Sequence, residues 1–408
     1  MIYLDYAATT PTHPEVVEAM APYLTQIWGN PSSLHQVGLA AHAALESARQ
    51  SLAGQVGLLD ESGLVFTSGG TESNNLAIKG VAGALQHKGR HLVTAATEHA
   101  AVLEPMRALA KAGWTVTELP VTVDGRVELA TLRAALRPDT VLVSLMHGNN
   151  EVGTLQDIAT LAATARAAGV LFHTDAVQTV GKHAVDMAEL GVDLLSASAH
   201  KFYGPKGMGF LAVNMQTCPN LVSLLDGGGH EGGRRSGTQN VAGAVGMAKA
   251  LALAEADRAL TTTRLQALQA RLWDGLVEIS RQTGADMVLN GPAILTDRVV
   301  GNLNVSLPPY QSEALLLKLD MAGIAVSAGS ACHSSQLHGS HVVRALYEGR
   351  QPDARVSALA SSALRFSLGR LTTADEIEAV LAQMDRLSRL SQPSQSNQFS
   401  QCQVPASV

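Results

Sequence analysis

The stretch SASAHKFYGPKG, residues 196–207, sets one amine, Lys201, between two apolar strand-like runs, Val192–Leu195 and Gly209–Val213. Glycine and proline force tight turns between them. A lysine at such a junction is partly desolvated, which lowers its pKa and prepares it to condense with an aldehyde. A surface-loop lysine is the competing reading, and this stretch alone does not decide. A second candidate is FTSGGTESNNL, residues 66–76, where a short strand (Gly63–Thr67) runs through two glycines into a helix start. That order presents backbone N–H groups and a positive dipole end to a phosphate. The loop lacks the Gly-Lys-Ser/Thr ending of a nucleoside-triphosphate site and the glycine spacing of a dinucleotide site. An ordinary helix capped by Thr71 or Ser68 is the alternative. A third is Cys332 in SAGSACHSSQLHG, residues 327–339, where small and polar neighbours suit a moving loop better than a buried structural thiol.

The elements that must position these residues alternate. Strands are expected at Leu92–Ala95, Val141–Met146 and Val170–Thr174, with helices at about 36–53 and 158–168. Repeated βα units imply a largely parallel sheet with helices on both faces, whose ligands gather beyond the carboxyl ends of the strands. Gly70, His99, Asn150, Asp175 and Lys201 each fall just after an expected strand. The glycine run 227–238 reads as a long flexible loop, and loops of that length are usually functional. Residues 241 to about 283 read as helical and Ala/Leu-rich, a connector between domains. Strands are expected at Val299–Leu307, Ile324–Val326 and Leu364–Leu368, the last carrying Arg365, and a helix at Glu313–Met321. Thr373 and Glu376 form a capping box for a last helix, after which the Ser/Gln-rich residues 391–408, including Cys402, read as a disordered tail.

The chain has 408 residues, 46% hydrophobic and 16% charged, and suits a compact fold of two or three domains. A net charge of −6 with no basic run argues against nucleic-acid binding. No stretch is apolar for long enough to span a membrane, and the N-terminus carries no signal core. Three sparse cysteines suit a reducing compartment, so the protein is expected in the cytoplasm. No metal is expected.

An amine, a phosphate-binding helix start and an acid at a strand end are together what pyridoxal 5′-phosphate requires. Its aldehyde needs a lysine, its phosphate a helix N-terminus, and its pyridine nitrogen a carboxylate that keeps the ring an electron sink. Asp175 is the natural candidate for the last.

From Tyr3 to about Leu390 the chain resembles the cysteine desulfurases of the class V aminotransferase group. The shared motifs are LDYAATTP, GNPSS, FTSGGTESNN, ATEH, NNEVG, HTDAVQ, SAHKFYGPKG, GGGHEGGRRSGT, SAGSAC and RFSLGR, in the family's order. The resemblance implies a fold type I α/β architecture. A large domain with a mostly parallel seven-stranded sheet would span 14–255, and a smaller α+β domain 1–13 and 256–390. It implies that Lys201 holds the cofactor and then moves the substrate's Cα proton, and that Asp175 pairs with the ring nitrogen. Gln178 would bond the ring oxygen and His99 would stack on the ring. Gly70, Thr71, Ser198 and His200 would hold the phosphate, and Thr238 the phosphate of a neighbouring subunit, hence a homodimer. Asn150 and Arg365 would bind the substrate carboxylate, Arg365 by a two-pronged ion pair.

Cys332 would take the sulfur of L-cysteine as a persulfide, leaving alanine, and pass it to an acceptor protein serving iron–sulfur or other thio-cofactor synthesis. A thiolate is needed, so positive charge, His99 or the adjacent His333 would help. Where the family usually has threonine and a later Glu-Pro, this chain has His333 and Gly339. Histidine after the cysteine is common in the related selenocysteine lyases, which leaves selenium release as the alternative. The length from Cys332 to His341 matches the long-loop desulfurases, while residues 348–360 are several longer than the family leads one to expect.

Overall fold

The computed structural model describes residues 1–218, 220–329 and 339–390. In chain order the elements are β1 (Ile2–Tyr3), α1 (Pro14–Met20), α2 (Pro22–Thr25), α3 (Gln36–Gln55), β2 (Leu64–Thr67), α4 (Gly70–Leu85), β3 (His91–Ala95), α5 (Ala100–Lys111), β4 (Thr115–Leu119), α6 (Leu129–Ala135), β5 (Thr140–Ser144), α7 (Ile158–Ala167), β6 (Leu171–Asp175), α8 (Met187–Leu190), β7 (Leu194–Ser198) and β8 (Gly209–Val213). There follow α9 (Val241–Ala256), α10 (Arg258–Thr283), β9 (Val288–Leu289), β10 (Asn302–Ser306), α11 (Ser312–Met321), β11 (Ile324–Ala325), α12 (His341–Tyr347), α13 (Asp353–Ser361), β12 (Ala363–Ser367) and α14 (Ala374–Leu390).

The large sheet has seven strands in the order β2-β8-β7-β6-β5-β3-β4. Its pairs are parallel from β7 to β4, and β8 runs antiparallel to both β7 and β2. Strands β2, β3 and β5 to β8 bury nearly every residue, as strands covered on both faces must. Successive side chains alternate between two cores. Val65, Leu92 and Leu211 join α4 and α5 on one face, while Phe66, Val93 and Phe210 join α3 and α9 on the other. Phe172 lies in the second of these at 1% exposure, and truncating such a ring to alanine costs about 3–5 kcal/mol.

A third core forms where Leu265, Leu272, Ile377 and Val380 of α10 and α14 cover Leu303, Val305, Leu364 and Phe366. These last belong to the antiparallel sheet β12-β10-β9. Leu4 joins this core because the N-terminal arm pairs β1 in parallel with β11 and bridges Asp5 to Ser367. The capping box forms as expected: Thr373 N–H donates to Glu376 Oε2 at 2.9 Å, and Glu376 N–H to Thr373 Oγ1 at 3.3 Å.

Residues 241–283 are helical as expected, and form two helices whose apolar pattern changes at Asp257. Helix α9 is buried on most sides, whereas α10 buries a stripe of Leu265, Gln269, Leu272 and Leu276. The glycine run is less free than its composition suggests. Glu231, 6% exposed, accepts from Arg49 at 2.7 Å and from Phe66 N–H at 3.0 Å, and Arg235 pairs with Glu72 at 2.8 Å. The long segment 348–360 is packed down: Val356, Leu359 and Ala360 are buried, and Arg350 donates to the Val121 carbonyl at 2.6 Å.

Candidate active site

At the carboxyl ends of β2, β3, β5, β6 and β7 the chain opens a pocket of about 200 Å³. Gly70, Thr71, His99, Asn150, Asp175, Gln178, Ser198, His200, Lys201 and Arg365 all line it. Thr238 is exposed and does not line it. Cys332, His333 and the tail with Cys402 lie outside the described residues.

Lys201 ends a short 3₁₀ turn, Ala199–Lys201, that follows β7 directly. Its Nζ donates to the carbonyls of Ala7 and Ala8, both at 2.7 Å. The N-terminal arm, read from sequence only as ordered, thus forms one wall. Asp175 accepts from Asn74 Nδ2 at 2.6 Å through Oδ2 and from Val177 N–H at 2.9 Å through Oδ1. Donors on both oxygens fix the plane of the carboxyl group, which faces the pocket where a ring nitrogen would sit. Asn74 went unread in the sequence; its place one helical turn into α4, beside Gly70, was the available signal.

Helix α4 starts at Gly70 after Gly69, which stands at φ 151° and has no side chain to cap the first turn. A Cβ on Gly70 would come within 2.7 Å of Val177 Cγ2, and one on Gly209 within 2.7 Å of Gly69 Cα. The bare backbone is therefore required, and it leaves the dipole end of a four-turn helix facing the pocket. His200, beside it, bonds Thr9 Oγ1 at 3.1 Å. Burial, followed by the charges of Lys201, Lys206 and Lys182, lowers its pKa to about 4.

His99 is the N-cap of α5, and its Nδ1 accepts from Ala101 N–H at 3.1 Å. An accepting Nδ1 assigns the neutral ring's hydrogen to Nε2. The preceding residue, Glu98, is 1% exposed; its Oε1 accepts from Met146 N–H at 2.7 Å and its Oε2 has no partner among the described residues. Burial pushes its carboxyl pKa well up, against that hydrogen bond and with help from Asp175.

Arg365, on β12, is 2% exposed. Nη1 donates to the Asn150 carbonyl at 2.7 Å and Nη2 to Asp5 Oδ1 at 2.6 Å, while Nε is buried without an acceptor among the described residues. One prong of the expected two-pronged ion pair is thus already shared with Asp5. The orphan N–H and the free charge capacity still fit a carboxylate ligand.

An amine, a strand-end carboxylate and an uncapped helix start, converging from a mostly parallel sheet, meet the three demands of one cofactor, and so define the class: a pyridoxal-phosphate enzyme. The chain belongs to the aminotransferase class-V family, which matches residues 2–380. Two curated relatives are named cysteine desulfurase IscS. That of Dictyoglomus turgidum is 46% identical over 95% of this chain and 94% of its own. That of Anaeromyxobacter sp. strain K is 49% identical over 92% and 90%. Among solved structures, a NifS-like protein superposes with a TM-score of 0.86 at 34% identity, covering 95% of this chain and 99% of its own. No described helix is long and apolar enough to cross a membrane.

Proposed function

We propose that this chain is a pyridoxal-phosphate-dependent cysteine desulfurase that converts L-cysteine to L-alanine and captures the sulfur on Cys332. The observation that carries this is the backbone pairing of Ser327 with Arg365. Ser327 N–H donates to the Arg365 carbonyl at 3.1 Å, and Arg365 N–H to the Ser327 carbonyl at 2.7 Å. The chain therefore enters the Cys332 segment beside the carboxylate-binding arginine. It returns at Ser340, whose Oγ donates to Glu151, next to Asn150, at 2.6 Å.

Gly70, Thr71, Ser198 and His200 would hold the cofactor phosphate, His99 its ring face, Asp175 its nitrogen and Gln178 its ring oxygen. When bound, the cofactor draws electrons from the substrate's Cα and so acidifies its hydrogen. Arg365 and Asn150 orient the carboxylate. Lys201 Nζ moves the Cα proton. His99 presents Nε2–H, a donor, while its Nδ1 holds the helix cap. The Cys332 thiolate attacks the substrate sulfur: the S–S bond forms, the C–S bond breaks with its electron pair going to carbon, and a proton completes alanine.

Thr238, held outside the pocket by a loop anchored through Glu231 and Arg235, is proposed to complete the phosphate site of a second subunit in a homodimer. A large domain, 14–255, and a smaller one from 1–13 and 256–390 are proposed; the core around Leu303 and Phe366 supports the smaller one, while α12 and α13 pack Val342, Leu346 and Leu359 into a core of the larger. An acceptor protein and a cytoplasmic location follow from the same reading. A solved relative titled SspA in complex with cysteine, 32% identical over 90% of this chain with a TM-score of 0.76, supports cysteine as substrate. The test is a side-by-side rate of alanine formation by the holoenzyme. Turnover of L-cysteine with one persulfide or sulfide per alanine is expected. Turnover of L-selenocysteine alone would establish a selenocysteine lyase.

A further inference from the structure

Gln178 is clamped at both ends. Its Nε2 donates to the Ala7 carbonyl at 2.9 Å, and its Oε1 accepts from Lys182 Nζ at 3.1 Å. The Ala7 carbonyl also accepts from Lys201 Nζ, so Lys182, Gln178, Ala7 and Lys201 form one hydrogen-bonded chain. Lys182 reaches this place through Gly181, which stands at φ 74°, and a Cβ there would come within 2.7 Å of Phe202 Cβ. The turn after β6 thus packs on the residue that follows Lys201. Lys182 and Lys201 together line a second cavity, distinct from the first, with Lys201 common to both.

We propose that Lys182 is a positioning residue for the cofactor site: it fixes the Gln178 amide with Nε2 towards the pocket and sets a second cation against Lys201. An ammonium donates and cannot accept, so only Oε1 can face it. The opposite end of the amide must then be the NH₂, which suits an oxyanion. Without Lys182 only the Ala7 carbonyl orients the amide, and its Oε1 end is left without a donor.

The surroundings of Lys182 concentrate positive charge. Burial, then Lys201, then Arg365 bring its ammonium down to about 7. Arg258 and Arg370 line the same cavity, but they are paired with Glu255 at 3.3 Å and Asp257 at 2.9 Å. No carboxylate lines it among the described residues. Tyr203, also there, has its phenol raised by burial, and the adjoining His183 is lowered to about 4 by burial, His147, Lys182 and Arg258. Lys182 therefore opposes a positive charge on Lys201.

The inference rests on Lys201 as the cofactor lysine, so that point is settled first by borohydride reduction and peptide mapping of each holoenzyme. If the cofactor maps elsewhere, the functional reading fails rather than this one. The readout is the midpoint of the pH-dependent absorbance change of the bound cofactor, measured without substrate. Lys182→Met should raise the midpoint by about one pH unit, the scale set by one neighbouring charge. Lys182→Arg should restore it to within about 0.2 unit of wild type. Lys182→Gln, which keeps a donor without charge, should shift as Lys182→Met does, and serves if that variant does not fold. Lys182→Met should also weaken cofactor binding, and in a Gln178→Ala background most of that loss should vanish. A wild-type midpoint in both neutral variants, or a full loss persisting without Gln178, overturns the proposal.

Discussion

Asp5 and Arg365 meet at 2.6 Å, joining the N-terminal arm to β12 at the edge of the pocket. With Nη2 held there and Nη1 on the Asn150 carbonyl, the guanidinium plane is set before any substrate arrives. A lysine offers one point charge and cannot serve Asp5, Asn150 and a carboxylate together. Arg365→Lys should therefore lower kcat/KM for L-cysteine about 10- to 100-fold, mostly through KM, the worth of one charge-assisted hydrogen bond. Steady-state kinetics checks this, and an unchanged KM would remove Arg365 from carboxylate binding.

The buried pair of Arg49 and Glu231 should be a stability element. Removing one partner leaves a buried charge, so Arg49→Met should cost about 3–5 kcal/mol in denaturant unfolding. A loss below about 1 kcal/mol would place the pair in water-like surroundings, contrary to its burial.

Stability should fall on mild acidification. His147, His183 and His200 are lowered to about 4 and His173 to about 3, each chiefly by burial. The unfolded chain binds protons at these residues below about 6.5 and the folded chain does not, so their contribution is complete above that pH and lost progressively towards 4. Glu98 and Glu255, with raised pKa values, oppose this in the folded state, but the four histidines are joined by His91, which burial also lowers. The Tm should drop steadily between pH 6.5 and 4.5; a flat or rising Tm would contradict the buried neutral imidazoles.

His99 has two separable duties. Asparagine also caps helices, so His99→Asn should retain the fold while losing Nε2–H. If that hydrogen serves proton transfer, kcat should fall by about 10²- to 10⁴-fold with little change in thermal stability. Wild-type kcat would reduce His99 to a cap.

Much of this site was legible because its residues sit where strands end, a position that periodicity and turn chemistry reveal. Lys201, Asp175, His99, Asn150 and Gly70 each follow an apolar run. Asn74, Asp5 and Lys182 follow no such rule. They matter because α4, the arm and the Gly181 turn converge in space, across sequence separations that carry no local signal. Glu231 was hidden for the opposite reason: among so many glycines it reads as solvated, and only the fold brings Arg49 beneath it.

The most direct test of the whole account is the fate of the sulfur. After brief exposure of the holoenzyme to L-cysteine, peptide mass mapping should find one added sulfur atom on the peptide that holds Cys332. The Cys332→Ala enzyme should bind cofactor normally yet form alanine more slowly by about 10³-fold or more. Added sulfur on Cys218, which is buried with its thiol raised to about 11, or wild-type turnover by Cys332→Ala, would contradict the mechanism.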